Sequence, residues 1–506
     1  MIATVFSAGI YGIKGYLVTV ECGLVNGLPS FELVGLPGAA VKESKERVTT
    51  AARSIGMALL PARKTVNLAP ADIRKEGAVY DLPILLGLLA AQGNIEQQLP
   101  DDSVFIGEIG LRGELRLVKG ALSMAMAVQQ AGKKNLFLPE GNAEEASLIG
   151  NDLTIYAVRH VQQILDHLTG KQLLEPYVPE HPVQDAPDAA LDFCDVMGQE
   201  NVKRAMEIAA AGGHNMLMSG SPGSGKSMMA KRIGTILPPM TPEEKMDVVR
   251  IYSIIGEGSR AARSQMRPVR APHHTTSAAG IAGGGQGIPM PGELSLAHNG
   301  VLFLDELPEF RVDALEVLRQ PLENGTVSIV RTAGRVTYPA KFMLICAMNP
   351  CKCGWYGHPS GRCKCTPAEV KKYRRKISGP LLDRIDIQVH VRPVPLKDLS
   401  EREPAESSAD IRARVIAARE RQQARYTGTK TRCNADMQPA QLAEFCRPDA
   451  AGQALLDAAF KKLGMTARSY DRILRLARTI ADLAGEEQIS AGHIAEAIQY
   501  RSMDRE

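Results

Sequence analysis

The sequence predicts an α/β protein with an N-terminal α+β region, a central core built on a parallel sheet, and a C-terminal helical region. Three observations predict this arrangement. A short apolar strand at 216–220 runs into a glycine-rich loop followed by a helix. Two further apolar runs, within 298–310 and 342–349, have the length of buried core strands and end in polar residues. Residues 470–483 repeat apolar side chains at the spacing of one helix face.

The composition is that of a soluble protein with several domains. Its 506 residues suffice for about three domains, and the 44% hydrophobic and 23% charged fractions are ordinary for a globular chain. No apolar stretch reaches the ~20 residues of a membrane span, and the start lacks the features of a secretory signal. Nine unevenly spread cysteines favour a reducing compartment, so we expect a cytoplasmic protein with no membrane partner. The net charge of +4 is too small to indicate nucleic-acid binding by itself.

Two composition shifts divide the chain. Residues 175–193 are rich in proline and acidic side chains and are typical of an extended linker. A polar, proline-bearing stretch at 391–410 precedes the helical end. The predicted units are an N-terminal domain at 1–172, a linker at 173–193, a nucleotide-binding core at 194–395 and a helical lid at 396–506.

The N-terminal region mixes short β-rich runs with helical stretches, which predicts an α+β domain. The first residues are interpreted as a buried strand. The further predicted elements are strands at Tyr16–Val20, Val104–Ile106 and Asn135–Leu138, and a helical stretch at 39–55.

The loop after the first core strand fits the phosphate-binding pattern G-x-x-x-x-G-K-[ST] at every fixed position. It consists of Gly220, Ser221, Pro222, Gly223, Ser224, Gly225, Lys226 and Ser227. Glycines let successive backbone N–H groups turn toward phosphate oxygens, and the next helix directs its N-terminus at the same anion. Lys226 would neutralise the β- and γ-phosphates, and the Ser227 hydroxyl would hold Mg²⁺. The loop therefore predicts binding of ATP with Mg²⁺.

The two later core strands end in side chains that would complete a hydrolytic site. Asp305 follows its strand and would bind Mg²⁺ through water, while Glu306 would polarise the attacking water. A surface acidic pair after a core strand is the alternative interpretation. Asn349 ends the other strand, where its amide can contact the γ-phosphate and respond to hydrolysis. We therefore expect Asp305, Glu306 and Asn349 to converge on the phosphate-binding loop.

Four of the nine cysteines follow Asn349 within a short loop. Cys351, Cys353, Cys363 and Cys365 form C-x-C-x₉-C-x-C, and four thiolates suit a tetrahedral structural Zn²⁺ that would order a loop without its own core. Reduced free thiols are the alternative, because C-x-C is tighter than the usual C-x₂-C spacing. Nothing in the pattern indicates catalytic zinc.

The order and spacing of these motifs resemble those of AAA+ ATPases. By this resemblance, SGPLLDRIDI at 378–387 is similar to the segment that carries the arginine finger, which makes Arg384 the candidate. TARSYDRILRLARTIADL at 466–483 is similar to the lid helix that carries the second sensor, which makes Arg468 the candidate. Arg384 would reach the γ-phosphate of a neighbouring subunit. An ordinary salt bridge to a nearby aspartate is the alternative for each arginine.

Longer segments resemble the magnesium-chelatase-like AAA+ proteins of the YifB/ComM family, and the resemblance covers essentially the entire chain. They are GGHNMLMSGSPGSGKS, RAPHHTTSAAGIAGGGQGIPMPGELSLAHNGVLFLDELPEF and SGPLLDRIDI. The resemblance implies an ATP-hydrolysing homo-oligomeric ring, a hexamer. ComM-type members are implied to drive branch migration of DNA junctions during natural transformation, so the implied partner is branched or single-stranded DNA.

Two segments are candidates for lining a DNA pore. Residues 275–292 are glycine-rich and resemble the helix-2 insert of this AAA+ branch, and such a loop can follow a DNA backbone without reading bases. Residues 326–342 predict a hairpin with Arg331 and Arg335 at its tip, where they could contact phosphates. A solvated hairpin is the alternative. The two adjacent histidines directly before residue 275 are interpreted as polar loop residues without a ligand role.

Residues 105–142 resemble the Lon-protease C-terminal fold, of the ribosomal S5 domain 2-like type. Active Lon-type proteases use a serine activated beside a lysine. Here Val79 and Leu122 stand about where the serine and the lysine would fall, although Ser123 and Lys119 lie nearby in sequence. The resemblance therefore implies a scaffold or a DNA-binding collar and not a protease.

Other functions stay open beside a DNA motor. A metal-insertion subunit, as in magnesium chelatase, would work with partner subunits on a porphyrin. The N-terminal region argues against this, because chelatase motor subunits resemble only the later part of the chain. A motor that remodels protein partners is a further alternative, whereas an ATP-dependent protease is opposed by the missing Ser–Lys pair.

Overall fold

The computed structural model describes residues 2–95, 99–179, 191–285, 287–331, 334–393, 405–463 and 465–501. Most of the predicted linker, at 180–190, lies outside the described residues, as does the predicted boundary between core and lid at 395/396. Among the described residues, no helix combines the length and apolarity needed to cross a bilayer.

The N-terminal region contains a seven-stranded mixed sheet, a separate two-stranded sheet and helices. Its strands are β1 Ile2–Tyr11, β2 Lys14–Val25, β3 Ser30–Val34, β4 Arg63–Ala69, β5 Ser103–Phe105, β6 Glu108–Ile109, β7 Leu115–Arg116, β8 Asn135–Pro139 and β9 Thr154–Val158. Its helices are α1 Ala39–Lys42, α2 Ser44–Ser54, α3 Asp81–Ala91, α4 Ala121–Gln130, α5 Glu140–Ala146 and α6 Val161–Leu168. The sheet order is β3-β4-β2-β1-β5-β8-β9. Every residue of the apolar α3 is buried, so this helix forms the centre of the domain core.

The predicted N-terminal elements are all present, although β2 extends five residues beyond the predicted end at Val20. The initial strand is β1, and the three predicted strands coincide with β2, β5 and β8. The predicted helical stretch at 39–55 is divided into α1 and α2 at Glu43. The β-rich runs alternate buried and exposed residues less regularly than one-faced strands do, because helices cover the sheet.

The central region is built on a five-stranded parallel sheet of order β11-β14-β17-β10-β18. Its strands are β10 Met216–Gly220, β11 Val269–Arg270, β12 Gly283–Gly284, β13 Met290–Pro291, β14 Val301–Leu304, β15 Thr326–Arg331, β16 Gly334–Pro339, β17 Met343–Met348 and β18 Ile387–Val391. Its helices are α7 Glu200–Gly212, α8 Lys226–Ile236, α9 Pro242–Ile255, α10 Gly258–Arg263, α11 Ala278–Ala282, α12 Glu293–Leu296, α13 Val312–Glu316, α14 Arg319–Asn324, α15 Pro367–Arg374 and α16 Gly379–Leu382. The strands β10, β14 and β17 are buried throughout, as the apolar runs predicted.

The C-terminal region is helical. Its helices are α17 Ser408–Arg425, α18 Pro439–Phe445, α19 Ala450–Leu463, α20 Ala467–Ala484 and α21 Ala491–Gln499. The apolar face predicted at 470–483 belongs to α20, which buries Ile473, Ala477 and Ile480 in a core shared with α7 and β10. The C-terminal helices and the parallel sheet therefore share one hydrophobic core.

A carboxylate that is 14% exposed joins these C-terminal helices to the sheet. Asp386 precedes β18, and its carboxylate lies 3.5 Å from His214 Nδ1 and 3.5 Å from Arg472 Nε of α20. It also accepts a 3.2 Å hydrogen bond from the Asn215 backbone N–H. Although burial acts in the opposite direction, these partners lower the pKa of the Asp386 carboxyl below its usual range.

The N-terminal domain is docked on the central region. Ile13, in the turn between β1 and β2, belongs to the central hydrophobic core, and its carbonyl accepts a 2.9 Å hydrogen bond from the Ser123 hydroxyl. Leu122, at the position expected for the protease lysine, is fully buried against Val249 and Ala262. The Ser123 hydroxyl is thus bonded to a backbone carbonyl, and Leu122 is buried in the interface between the two regions. Lys119 is exposed.

Candidate active site

The carboxyl ends of three neighbouring parallel strands bring the predicted nucleotide-site residues to one edge of the sheet. The phosphate-binding loop begins at the last residue of β10, and Asp305 and Asn349 directly follow β14 and β17. Because β17 pairs with both β10 and β14 in parallel, these three ends are neighbours. Ligands of open α/β sheets bind at this edge.

Lys226 lies inside the loop that carries it. Its ammonium donates hydrogen bonds to the carbonyls of Gly220 at 2.8 Å and Ser221 at 2.9 Å, and to Asn349 Oδ1 at 3.3 Å. Burial lowers the pKa of Lys226. Gly225, which starts the following helix, has a φ of +91°, a backbone conformation that favours glycine. The structure therefore brings the predicted lysine and the predicted asparagine together.

Ser227 and Asp305 form the second contact of the site. The Ser227 hydroxyl donates a 2.5 Å hydrogen bond to Asp305 Oδ2. A hydroxyl and a carboxylate are the hard oxygen ligands that Mg²⁺ prefers. This donor pair fits the predicted metal role of both residues.

Glu306 directly follows Asp305, but its side chain contacts a histidine. Its backbone is left-handed, with a φ of +51°, an uncommon conformation for a residue with a side chain. Its carboxylate Oε2 lies 3.2 Å from His274 Nδ1. His274 also stacks on His273, with ring centroids 4.1 Å apart. The interpretation of these histidines as ordinary polar residues missed this contact, because their sequence position, far from Glu306, gives no sign of it.

A cavity of about 490 Å³ opens at the phosphate-binding loop. One wall is formed by Val196, Met197 and Met228, which present apolar surface. The cysteine-bearing loop forms another wall through Trp355 and Arg362. The sequence did not indicate these two residues, because only the folded loop places them beside the phosphate-binding loop.

Arg384 and Arg468 lie at the opposite edge of the sheet. Asn215, at the beginning of β10, donates a 2.8 Å hydrogen bond to the Arg384 carbonyl, whereas the phosphate-binding loop follows the other end of β10. Arg468 lies 3.9 Å from Asp383, next to Arg384 in sequence, and the Arg384 guanidinium pairs with Glu323. The structure therefore does not bring either arginine to the phosphate-binding loop of the same chain.

The two predicted DNA segments form one unit. The strands β15 and β16 make the predicted hairpin, with Arg331 opposite Gly334, and both Arg331 and Arg335 are exposed. The two residues between these strands lie outside the described part of the chain. The glycine-rich segment forms the short β12–β13 pair beside this hairpin, and Tyr338 of β16 donates a 2.6 Å hydrogen bond to the Pro289 carbonyl. The hairpin also packs against the β1–β2 turn, where Gly12 contacts Val336.

The four cysteines converge. Their sulfur atoms all lie within 4.8 Å of one another, with Cys351 and Cys353 at 3.3 Å, Cys351 and Cys363 at 3.8 Å, and Cys353 and Cys363 at 3.7 Å. Zinc–sulfur bonds of about 2.3 Å in a tetrahedron place sulfur atoms about 3.8 Å apart. A backbone hydrogen bond at Trp355 lowers the pKa of the Cys353 thiol to about 6, which favours the thiolate that binds metal.

Comparison with protein families matches most of the chain to magnesium chelatase. Residues 192–399 match the family described as magnesium chelatase, subunit ChlI, and residues 405–501 match its C-terminal region. Residues 20–142 match a family described as subunit ChlI of Mg-chelatase. The expectation that the N-terminal region separates this chain from chelatase subunits is therefore not supported.

Full-length relatives are found among bacterial proteins. The uncharacterized protein YifB of Salmonella typhimurium is 41% identical over 506 residues, covering 100% of this chain and 98% of that protein. The competence protein ComM of Haemophilus influenzae is 40% identical over 508 residues, with the same coverage of both chains. The magnesium-chelatase 67 kDa subunit of Chlorobaculum tepidum is 28% identical over 164 residues, 31% of this chain and 23% of that subunit.

Proposed function

This chain belongs to the family of magnesium-chelatase-like proteins that includes YifB and ComM, and from this membership we propose that it is a ring-forming AAA+ ATPase that translocates on DNA. The observation that carries the ATPase assignment is the meeting of Lys226, Ser227, Asp305 and Asn349 at one edge of the parallel sheet. A phosphate-binding loop, a metal-binding pair and a polar sensor at this edge are what ATP hydrolysis requires.

Each of these side chains has a task for which its position is suited. Lys226 exchanges its backbone carbonyl partners for phosphate oxygens when ATP enters. Ser227 and Asp305 would hold Mg²⁺, which supplies charge neutralisation on the phosphates when bound. Asn349 contacts Lys226 and thereby the γ-phosphate position, while Glu306 leaves His274 to align the attacking water.

The positions of the two arginines support a ring, which we propose to be a hexamer. Arg384 lies at the end of the sheet remote from the phosphate-binding loop, and Arg468 lies on the same side near Asp383. An arginine that contacts ATP from there must contact the ATP of an adjacent subunit. A head-to-tail ring interface provides this arrangement for every subunit.

The hairpin arginines support DNA as the substrate on which the ring moves. Arg331 and Arg335 are exposed on β15 and β16, next to the glycine-rich segment at β12 and β13. Exposed arginines beside a backbone-rich surface suit phosphate contacts that do not depend on base sequence. The name of the competence protein ComM points in the same direction. We propose branched DNA as the substrate, with branch migration as the activity.

The test is ATP-dependent unwinding of a labelled four-way DNA junction, with Lys226→Ala as the control for hydrolysis. We expect the wild type to process the junction and the variant to fail. Wild type that hydrolyses ATP but neither binds the junction nor is stimulated by it would overturn the DNA assignment while leaving the ATPase assignment intact.

A chelatase-type ATPase is the second candidate, favoured by the family descriptions across 20–142, 192–399 and 405–501. Such a subunit would hydrolyse ATP in response to partner subunits and a porphyrin. ATPase stimulation by that partner mixture, without stimulation by DNA, would favour it. A protein-remodelling motor would be stimulated by neither.

We also propose that the four cysteines hold a structural Zn²⁺. The sulfur atoms of Cys351, Cys353 and Cys363 are 3.3 to 3.8 Å apart and all four lie within 4.8 Å of one another, a cluster compact enough for a single tetrahedral ion. Elemental analysis of the purified chain tests this, with about one zinc per chain as the expected result.

A further inference from the structure

The cysteine loop connects the metal cluster directly to the nucleotide cavity. Between β17 and α15, residues 350–366 contain no helix or strand, and only Pro350, Cys351 and Gly354 of this segment are buried. A loop with so little buried surface has almost no hydrophobic contribution to fix its conformation. The loop is attached at the four sulfur atoms, at Gly354 and through Arg374, which donates a 3.3 Å hydrogen bond to the Pro350 carbonyl and lies over the Tyr356 ring.

Gly354 is the point at which this loop rests on the phosphate-binding loop. Its φ is +84°, and a methyl group added to it would lie 2.6 Å from Pro222. A side chain at this position would therefore push the two loops apart. The added methyl group would also lie 3.9 Å from the Asn349 side chain, so the loop lies beside both the phosphate-binding loop and the proposed sensor.

The next residues of the loop enter the cavity wall. Trp355 and Arg362 both line the cavity beside Ser221–Gly225. The guanidinium of Arg362 lies 5.1 Å from the Trp355 ring centre, and His358 packs edge-on against the same ring at 4.8 Å. An aromatic ring that holds a guanidinium fixes a positive charge at the mouth of an anion-binding site.

We propose that the four-cysteine metal site sets the position of Trp355 and Arg362 as the outer wall of the nucleotide cavity, so that Zn²⁺ and nucleotide bind cooperatively. This inference rests on the proposed nucleotide site and on the proposed zinc site, and it adds a regulatory link between them. Arg362 contacts nucleotide phosphates in the same chain, in contrast to Arg384. When the metal is lost, Trp355 and Arg362 are no longer held in this position, and nucleotide binding weakens.

The cooperativity has a reciprocal form. If bound zinc strengthens nucleotide binding by some factor, bound nucleotide must strengthen zinc binding by the same factor. A chelator should therefore strip zinc from the nucleotide-bound chain only at a correspondingly higher concentration. A nucleotide titration with and without zinc and a zinc titration with and without nucleotide must therefore give the same coupling factor.

The chain carries its own reporter for this link, because Trp355 is its single tryptophan. Energy transfer from Trp355 to a fluorescent N-methylanthraniloyl-ADP measures both nucleotide affinity and the closeness of the wall to the nucleotide. We expect strong transfer in the zinc-bound chain, and about tenfold weaker affinity with reduced transfer after chelation, since one charge-assisted contact to phosphate is lost. Restoring zinc should restore both.

Matched variants separate the metal from the wall. Arg362→Ala should keep about one zinc and lose about tenfold in nucleotide affinity, whereas Lys364→Ala, which removes an exposed charge from the same loop, should change neither. Gly354→Ala should also keep zinc yet weaken nucleotide binding, because it separates the loops. Cys353→Ser should lose both the zinc and the tight binding of nucleotide. Cys194→Ser, which removes a thiol outside the cluster, is its control.

The outcomes distinguish failure of this inference from failure of its premises. Absence of zinc in the wild type would refute the metal site, and nucleotide binding that survives Lys226→Ala unchanged would refute the nucleotide site. Zinc present at about one per chain, with nucleotide affinity identical before and after chelation, would refute the link alone. Equal affinities of Arg362→Ala and Lys364→Ala would likewise exclude Arg362 as a phosphate contact.

Discussion

Replacing Arg384 by alanine tests whether ATP hydrolysis is shared between adjacent subunits. From Asn215, which is bonded to the Arg384 carbonyl, to Gly220 the chain takes five steps along β10. At about 3.3 Å per residue this is roughly 17 Å, whereas an arginine side chain reaches only roughly 7 Å from its Cα. Arg384 therefore cannot contact a phosphate held by its own chain.

Replacing Arg384 alone should cause a large loss of ATPase activity. Arginines that act across an interface contribute about 10³ or more to the rate of phosphate transfer, so Arg384→Ala should lose nearly all ATPase activity. The fold should survive, because Glu323, whose side chain is 53% exposed, stays hydrated when the 12%-exposed Arg384 side chain is removed. Arg447→Ala, an exposed arginine of the lid, serves as the control and should keep its activity.

A mixture of two inactive variants gives the decisive result. When Lys226→Ala and Arg384→Ala are co-expressed in equal amounts, about a quarter of the sites combine an intact lysine with an intact neighbouring arginine. The mixed rings should therefore recover up to about a quarter of the wild-type ATPase rate. If both residues acted within one chain, no mixed site would be complete. Activity no greater than that of the separate variants, in rings shown to contain both, would refute the assignment in trans.

Three further perturbations test other parts of the structure. Replacing Arg331 and Arg335 together by alanine should weaken binding of the DNA junction. The slope of log affinity against log salt concentration should fall by the amount expected for about two phosphate contacts, measured by titration at several salt concentrations. His274→Ala should raise the ATPase rate without DNA by a few-fold, because Glu306 loses the partner that holds it 3.2 Å away. Asp386→Asn should lower the melting temperature by several degrees at pH 7. Because the pKa of Asp386 is lowered in the folded chain, its stabilisation is present above the unfolded value near 4 and is lost as pH falls through the folded value, so the difference from wild type should narrow below about pH 4.

Each of these predictions has a matched control. Lys461→Ala with Lys462→Ala removes two exposed charges from the lid and should leave DNA binding unchanged. His273→Ala removes the neighbouring ring without touching Glu306, and a fall in rate with His274→Ala would contradict the proposed restraint. Asp457→Asn, at an exposed position, should show no pH-dependent change in melting temperature, and an equal effect of both substitutions would contradict the buried pair.

The sequence was sufficient for the features that depend on local patterns. Buried parallel strands are continuous apolar runs, so β10, β14 and β17 and the polar residues after them could be predicted. The same order of strands placed Lys226 and Asn349 together. Contacts made by the long loops could not be predicted, because the order of the strands does not fix the path of a loop. The pairing of Glu306 with His274 and the entry of Trp355 into the nucleotide cavity are of this kind.

The docking of the N-terminal domain suggests why a domain without the Ser–Lys pair would be kept. Ile13 lies in the hydrophobic core of the central region, and the adjacent Gly12 packs against Val336 of the hairpin. A movement of the hairpin with the nucleotide state must therefore involve the β1–β2 turn. On the proposed function, this places the domain against the DNA-contacting surface as a collar. It also predicts that Gly12→Val, which would clash with Val336, impairs DNA stimulation of the ATPase more than the basal rate; equal losses in both would show that the turn serves only the fold.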